Sequence, residues 1–263
     1  MVIRQSKHFN LQQICDSGQC FRMERVSENC YRVIAFGRSL EILQEGEQCT
    51  FFCTPHEFEE IWNDYFDLET DYQSYIEGIN QMILLARGGR VGEWDTDSPA
   101  GFVGDDSIIL ISQQNHITRI RKCIQNLCET YGEERTSDSG NTFYTFPEPE
   151  KLAELGDDDL KACNLGYRSK YVVRTAKSIV SGEVDLDAIR HLPYAKAKKE
   201  LLKLFGVGEK VADCICLFAL HHLQAFPIDT HISQALQKHY KRGFPNRRYK
   251  GMQGVMQQYI FLL

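Results

Sequence analysis

What the chain lacks narrows its class first. The longest apolar runs in its 263 residues, such as Ile108–Ile111 and Cys214–Leu220, are far too short to span a bilayer, so no membrane association is expected. The opening MVIRQSKHFNLQQ has no apolar stretch of signal-peptide type, and an intracellular location is expected. Ten cysteines are present, yet no C-x-x-C pair and no Cys/His cluster has zinc or iron–sulfur spacing. They read as reduced core thiols, and neither a metal nor another cofactor is expected. No internal repeat or low-complexity tract occurs. Positive charge is scarce overall, with a net of −6, but its distribution is uneven. Residues 1–160 hold 13 Lys/Arg against 29 Asp/Glu, a net of −16, whereas residues 161–263 hold 17 against 7, a net of +10. Local potential steers association more than total charge does, so a polyanion would be held by the second half. On charge alone, a solvated basic helix face explains the asymmetry equally well.

The apolar pattern changes character along the chain. Tyr31–Phe36, Ser39–Leu43 and Thr50–Cys53 are short apolar or alternating runs between Gly and charged turns, the pattern of an antiparallel sheet. Helical spacing begins after Pro55, over Glu57–Phe66 and Tyr72–Leu85. Residues 87–107 are rich in Gly and Asp and read as a loop. Ile108–Tyr131 reads as a helix broken or capped near Ser112–His116, and Gly132–Gly140 as a polar break. From Pro149 onward the pattern is helical, over about Pro149–Glu154, Asp157–Cys163, Lys170–Val180, Leu186–His191, Ala195–Leu204, Glu209–His222, Thr230–Tyr240 and Tyr249–Leu263. The expectation is an α+β protein. A small antiparallel β-sheet N-terminal domain with helices occupies residues 1–107, and a two-lobed all-helical body occupies residues 108–263.

The most informative segment is Leu201-Leu-Lys-Leu-Phe-Gly-Val-Gly-Glu-Lys210. A helix ends, Gly206-Val207-Gly208 turns tightly, and an apolar helix starts at once. Glycines supply the positive φ of such a turn and let another backbone approach. Unpaired N–H groups at the start of the new helix favour an anion such as a DNA phosphate, in a contact that carries no base sequence. An ordinary helical hairpin that needs Gly only to turn is the other reading. Lys210 sits in the first turn of a helix whose other residues are mostly apolar, and Cys214 at i+4 shares its face. A lysine in apolar surroundings can serve as an amine nucleophile through a Schiff base. A snorkelling, phosphate-binding lysine is the alternative. Nineteen residues on, Phe226-Pro-Ile-Asp-Thr-His231 opens the next helix. Asp229 reads as its N-cap, a role compatible with stabilising a developing sugar cation. His231 could meet a phosphate or fill space.

Taken together, Gly206-Val-Gly-x-Lys210-Val-Ala-Asp-Cys214 and Pro227-x-Asp229-x-His231 resemble the helix-hairpin-helix-Gly/Pro-Asp signature of DNA glycosylases, in its 8-oxoguanine branch. The resemblance covers almost the whole chain. Ser17-Gly-Gln-Cys-Phe-Arg22, Ser112-Gln-Gln-Asn-His-Ile-Thr-Arg119, Leu165-Gly-Tyr-Arg168 and Gln257-Gln-Tyr-Ile-Phe261 resemble further segments of that family in the same order. The chain departs from the pattern at Phe205, where the family usually has proline, and at Gln114-Asn115-His116, where it has an asparagine run. Residues 88–107 do not resemble the apolar helix the family has there, and the chain ends just after Phe261.

The resemblance implies a helix-hairpin-helix at about residues 195–222 and double-stranded DNA with a damaged base as partner, held between the two helical lobes by a monomer. Lys210 and Asp229 would be catalytic. Gly18, Cys214, Gln257 and Phe261 would line the pocket for the extruded base. Tyr167 would wedge the duplex, Gln114, Arg119 and Arg168 would hold the orphaned cytosine, and Asn115 belongs to the same segment. Gly206, Val207, Gly208 and His231 would meet the DNA backbone. Two rivals remain: a glycosylase for alkylated bases, which has no use for a lysine at 210, and a non-catalytic DNA-binding hairpin module, which leaves Asp229 and the remote Gly18 and Gln257 segments unexplained.

Overall fold

The structure is a computed structural model that describes residues 1–6, 9–16, 20–69, 111–113, 115–156, 158–241 and 243–261, with the side chains of Tyr259 and Phe261 excepted. The expected helix at Tyr72–Leu85 and the loop at 87–107 lie outside the described residues.

Alternation builds the first unit. In strand β3 (Cys30–Ala35) Tyr31, Val33 and Ala35 are buried while their neighbours are half-exposed, so one face packs and the other meets water. The sheet is antiparallel in the order β1 (Val2–Gln5), β5 (Gln48–Phe51), β4 (Arg38–Glu45), β3, β2 (Met23–Arg25). Phe36 and Gly37 join β3 to β4 with φ of 50° and 68°, the paired positive angles of a two-residue hairpin turn. Edge strands β1 and β2 were not legible in the sequence, because β1 buries almost nothing and β2 is three residues long. Helix α1 (Leu11–Asp16) buries Leu11, Ile14 and Cys15 in the same core, and α2, over residues 55–65 with a π turn at Phe58–Trp62, lays Phe58 and Trp62 onto this sheet. Phe51 and Phe58 meet edge to face at 5.0 Å, and Trp62 donates its indole N–H to Glu57 at 3.0 Å.

The second unit starts with α3 (Ile117–Tyr131), for which His116 is the capping position, as the break near Ser112–His116 suggested. Gly132–Gly140 is more than a polar break. It enters a hairpin of β6 (Glu134–Thr136) and β7 (Thr142–Tyr144), strands too short for alternation to be read. This hairpin braces the first unit: Arg135 donates to the Gly37 carbonyl at 3.0 Å, and Ser139 and Asn141 both donate to Glu41. The remaining helices are α4 (Pro149–Ala153), α5 (Ser169–Val180), α6 (Leu186–Arg190), α7 (Tyr194–Leu201), α8 (Glu209–Cys214), α9 (Thr230–His239) and α10 (Gln253–Phe261). The expected helix from Glu209 to His222 divides, because a π turn at Ile215–Ala219 follows α8. Two apolar clusters give the body its two lobes. One joins Ile120, Ile124 and Leu127 to Val172 and Val173; the other joins Leu201 and Leu204 to Val211 and Ile215. Phe21 packs against both. None of the ten cysteines forms a disulfide, and every one except Cys30 is buried. No helix among the described residues is long and apolar enough to cross a membrane.

An ion pair links the sheet unit to the end of the second lobe. His221 Nε2 lies 2.8 Å from Asp67 Oδ2. This carboxylate raises the His221 pKa above its ordinary 6.5, against the opposing effect of burial. A histidine that binds its proton more tightly when folded adds stability that is complete below its unfolded value and is lost as pH rises through the folded one. Stability in urea should therefore fall as pH rises above about 6.5, and Asp67→Asn should shrink that fall. Burial holds His222 below its ordinary value, which gives the opposite dependence, so the comparison with Asp67→Asn isolates the His221 part.

Candidate active site

The hairpin turn is built around one glycine. Helix α7 ends at Leu201, and the Leu204 carbonyl accepts from Val207 N at 3.1 Å to tighten the chain. Gly206 then takes φ +88°, and a Cβ there would lie 2.4 Å from the Tyr171 ring. Positive φ and close approach thus coincide at one residue. Gly208 does not share the role that the sequence suggested for both glycines. Its φ is −94°, it caps α8 through its carbonyl, and a Cβ would meet nothing within 4 Å. Val207 is buried, while Gly208, Glu209 and Lys210 face solvent.

Five residues from three segments close a ring of contacts about this turn. Tyr171 covers Gly206, and the Gly206 carbonyl accepts from Gln113 Nε2 at 3.1 Å. The Gln113 carbonyl in turn accepts from Arg168 Nε at 2.8 Å and from its Nη2. Arg168 lies over the Tyr167 ring at 4.5 Å, and Tyr167 returns to Tyr171 edge to face at 5.6 Å. Arg168 is therefore buried, and its guanidinium is spent on backbone in this conformation. Tyr167 stays 49% exposed. Sequence reasoning missed Gln113 and Tyr171. The Gln113-Gln114 pair was visible, but nothing local marks which amide reaches across 93 residues to Gly206.

Beyond the turn, α8 carries Lys210 and Cys214, and Asp229 stands at the start of α9. Lys210 and Cys214 stand one turn apart on α8, as the i, i+4 spacing implied, and the charges of Lys210 and Asp229 both act on the Cys214 thiol. Burial pushes the Cys214 thiol up, the Lys210 charge opposes this, and Asp213 and Asp229 add to it. Cys214 is thus a neutral, weakly polar surface rather than a thiolate nucleophile. Asp229 caps α9 by accepting from Ile232 N at 2.7 Å, the role its position suggested. Lys210 itself is exposed, not enclosed in apolar surroundings. The other acids of α8 are occupied: Lys198 pairs with Glu209 at 2.7 Å and Asp213 at 2.9 Å, and Tyr194 donates to Asp213 at 2.7 Å. Burial alone would pull the Lys198 pKa down, but these two carboxylates outweigh it and hold it above the usual lysine range. Burial and the Asp213 carboxylate together push Tyr194 up to about 12.

The other expected residues are spread around this centre. Gln257 is buried on α10 and accepts from Gln258 at 2.6 Å. Gly254, whose Cβ would lie 2.3 Å from Leu217, seats that helix against the π turn after Cys214. Phe261 is the last residue of α10, and its side chain is outside the described atoms. Gly18 and Gln114 also lie outside the described residues. Asn115 folds back locally, accepting from His116 N at 3.1 Å, while Arg119 and His231 are exposed near the starts of α3 and α9. Among the described residues no group of three His, Cys, Asp or Glu side chains could hold a metal ion.

Residues 1–131 match the 8-oxoguanine DNA glycosylase N-terminal domain family, and residues 108–249 match the HhH-GPD superfamily of base excision DNA repair proteins. The chain belongs to the HhH-GPD superfamily. Its N-terminal match puts it in the 8-oxoguanine glycosylase branch of that superfamily. The 8-oxoguanine glycosylase/lyase of Clostridium acetobutylicum, solved with double-stranded DNA containing cytosine opposite 8-oxoguanine, is similar in fold with a TM-score of 0.87. The two are 31% identical, over 99% of this chain and 96% of that one. A probable N-glycosylase/DNA lyase of Methanothermobacter thermautotrophicus is 29% identical over 239 residues, covering 77% of this chain and 72% of that protein. The N-glycosylase/DNA lyase of Saccharomyces cerevisiae is 29% identical over 143 residues, which cover 50% of this chain and only 38% of the yeast protein.

The two hairpin glycines of this HhH-GPD member should respond differently to one methyl group. Gly206→Ala combines a left-handed backbone with a clash on Tyr171 and should cost about 2 kcal/mol or more. Gly208→Ala should cost about 1 kcal/mol or less. Urea denaturation of the two variants measures both.

Proposed function

We propose that the chain is a bifunctional DNA repair glycosylase that excises 8-oxoguanine opposite cytosine and then cleaves the strand as a lyase. The observation that carries this reading is the placing of Lys210 in the first turn of the hairpin helix and of Asp229 as the cap of the helix that follows, with both charges acting on the Cys214 thiol. A base within a duplex must be extruded before its sugar can be attacked. Tyr167, exposed beside the hairpin, supplies the wedge. The backbone at Gly206, Val207 and Gly208, with His231, holds phosphate, and the open space at Gly208 suits such an approach.

In the extruded state the Lys210 amine attacks C1′. The bond from C1′ to the base breaks, and its electron pair leaves with the base, which gains a proton. Asp229 stabilises positive charge developing on the sugar. Opening of the sugar ring leaves an imine between Lys210 and C1′. Loss of a proton from C2′ then expels the 3′ phosphate by β-elimination, and water releases the lysine. Cys214 and Phe261 sandwich the base, Gln257 reads its Watson–Crick edge, and the Gly18 carbonyl accepts the N7–H that guanine lacks. Arg119, Gln114 and Arg168 serve the orphaned cytosine, with Asn115 shaping their segment; Arg168 must turn outward from Gln113 to do so. Residues 1–107 and 108–263 form the two domains, and the enzyme works as a monomer on intracellular DNA without a cofactor.

Borohydride reduction on a duplex holding one 8-oxoguanine tests the reading. Wild type should be trapped, whereas Lys210→Gln should bind and not cross-link; an undiminished cross-link in the variant would sink the assignment. Asp229→Asn keeps the helix cap and should slow single-turnover excision by more than about tenfold with binding nearly intact. Excision of alkylated bases alone, or binding without excision by wild type, would favour the two rival readings instead.

A further inference from the structure

Helix α5 contains no acidic residue, and its cations Lys170, Arg174 and Lys177 are all exposed. Their spacing of four and three puts them on one face. Of the three, Arg174 is the one that lies over an aromatic ring. Its guanidinium carbon lies 4.1 Å from the centroid of the Phe205 ring, and no ion pair joins it to a carboxylate among the described residues. Phe205 is a large apolar side chain left 43% exposed, and it immediately precedes Gly206. Its ring meets Tyr171 at 5.7 Å, and Tyr171 meets Tyr167 at 5.6 Å. An aromatic row therefore runs from the exposed wedge, past the hairpin turn, to an arginine with no acidic partner among the described residues.

A guanidinium lying against a ring keeps its N–H edge directed outward, and that edge matches the two oxygens of a phosphate. Stacking in the free protein also removes freedom that binding would otherwise have to remove. We infer that Arg174, held by Phe205, is a phosphate fork for the DNA backbone that extends the grip of the hairpin turn along α5. The inference rests on the DNA-repair reading above. Seven residues separate Tyr167 from Arg174, a helical rise of about 10 Å or roughly three base-pair steps. The phosphate taken would thus belong to the duplex flanking the wedge rather than to the damaged nucleotide.

The test is the salt dependence of affinity for two duplexes, one with 8-oxoguanine and one undamaged. Removing a cation that neutralises one phosphate should reduce the slope of log affinity against log salt by about 0.9. Arg174→Ala should show that reduction on both duplexes, with equal fold-weakening of each and an unchanged single-turnover rate at saturating enzyme. Phe205→Leu keeps the charge but not the stack, so it should retain the wild-type slope and weaken binding less. A wild-type slope in Arg174→Ala, or a weakening confined to the damaged duplex, overturns the inference and leaves the glycosylase reading standing. A wild-type chain that holds neither duplex overturns both.

Discussion

The contact on which the site depends is the Tyr171 ring lying over Gly206. It demands a residue without a Cβ at a left-handed position, and it fixes where α8 begins. From there the rest is determined by helix geometry. Lys210 falls in the first turn and Cys214 one turn later, and Asp229 arrives as the cap of the following helix. The polar half of the same clamp, from Arg168 through Gln113 to the Gly206 carbonyl, ties the turn to the segment that carries the exposed Tyr167. Tyr167 and the start of the Lys210 helix therefore share one support.

Electrostatics sorts the charges of α8 into structural and chemical sets. Lys198 takes both Glu209 and Asp213, and Tyr194 adds a hydrogen bond to Asp213. Such a half-buried network is retained only if its members satisfy one another, because an acid left without its cation would be costly there. With those carboxylates engaged, the charges of Lys210 and Asp229 oppose one another at Cys214, whose thiol burial keeps neutral.

Much of this was legible in the sequence because it is local. The alternation of Tyr31, Val33 and Ala35, the capping position of Asp229 and the one-turn spacing of Lys210 and Cys214 are each decided within a few residues. What escaped was long-range or short. Gln113 and Tyr171 act across the chain on Gly206, and β6 and β7 are too brief for a period to appear. The two glycines of the turn looked equivalent in sequence, and only the Tyr171 ring tells them apart. Arg168 reads locally as a surface charge beside an exposed tyrosine, yet the Gln113 carbonyl draws it inward.

The proposed chemistry requires this clamp to present Lys210, and no other amine, to the sugar of the extruded nucleotide. Peptide mapping by mass spectrometry of the borohydride-reduced protein–DNA complex tests it directly. A single adducted peptide is expected, with the sugar remnant on Lys210. An adduct on Lys198, on Lys203 or on the N-terminal amine would contradict it.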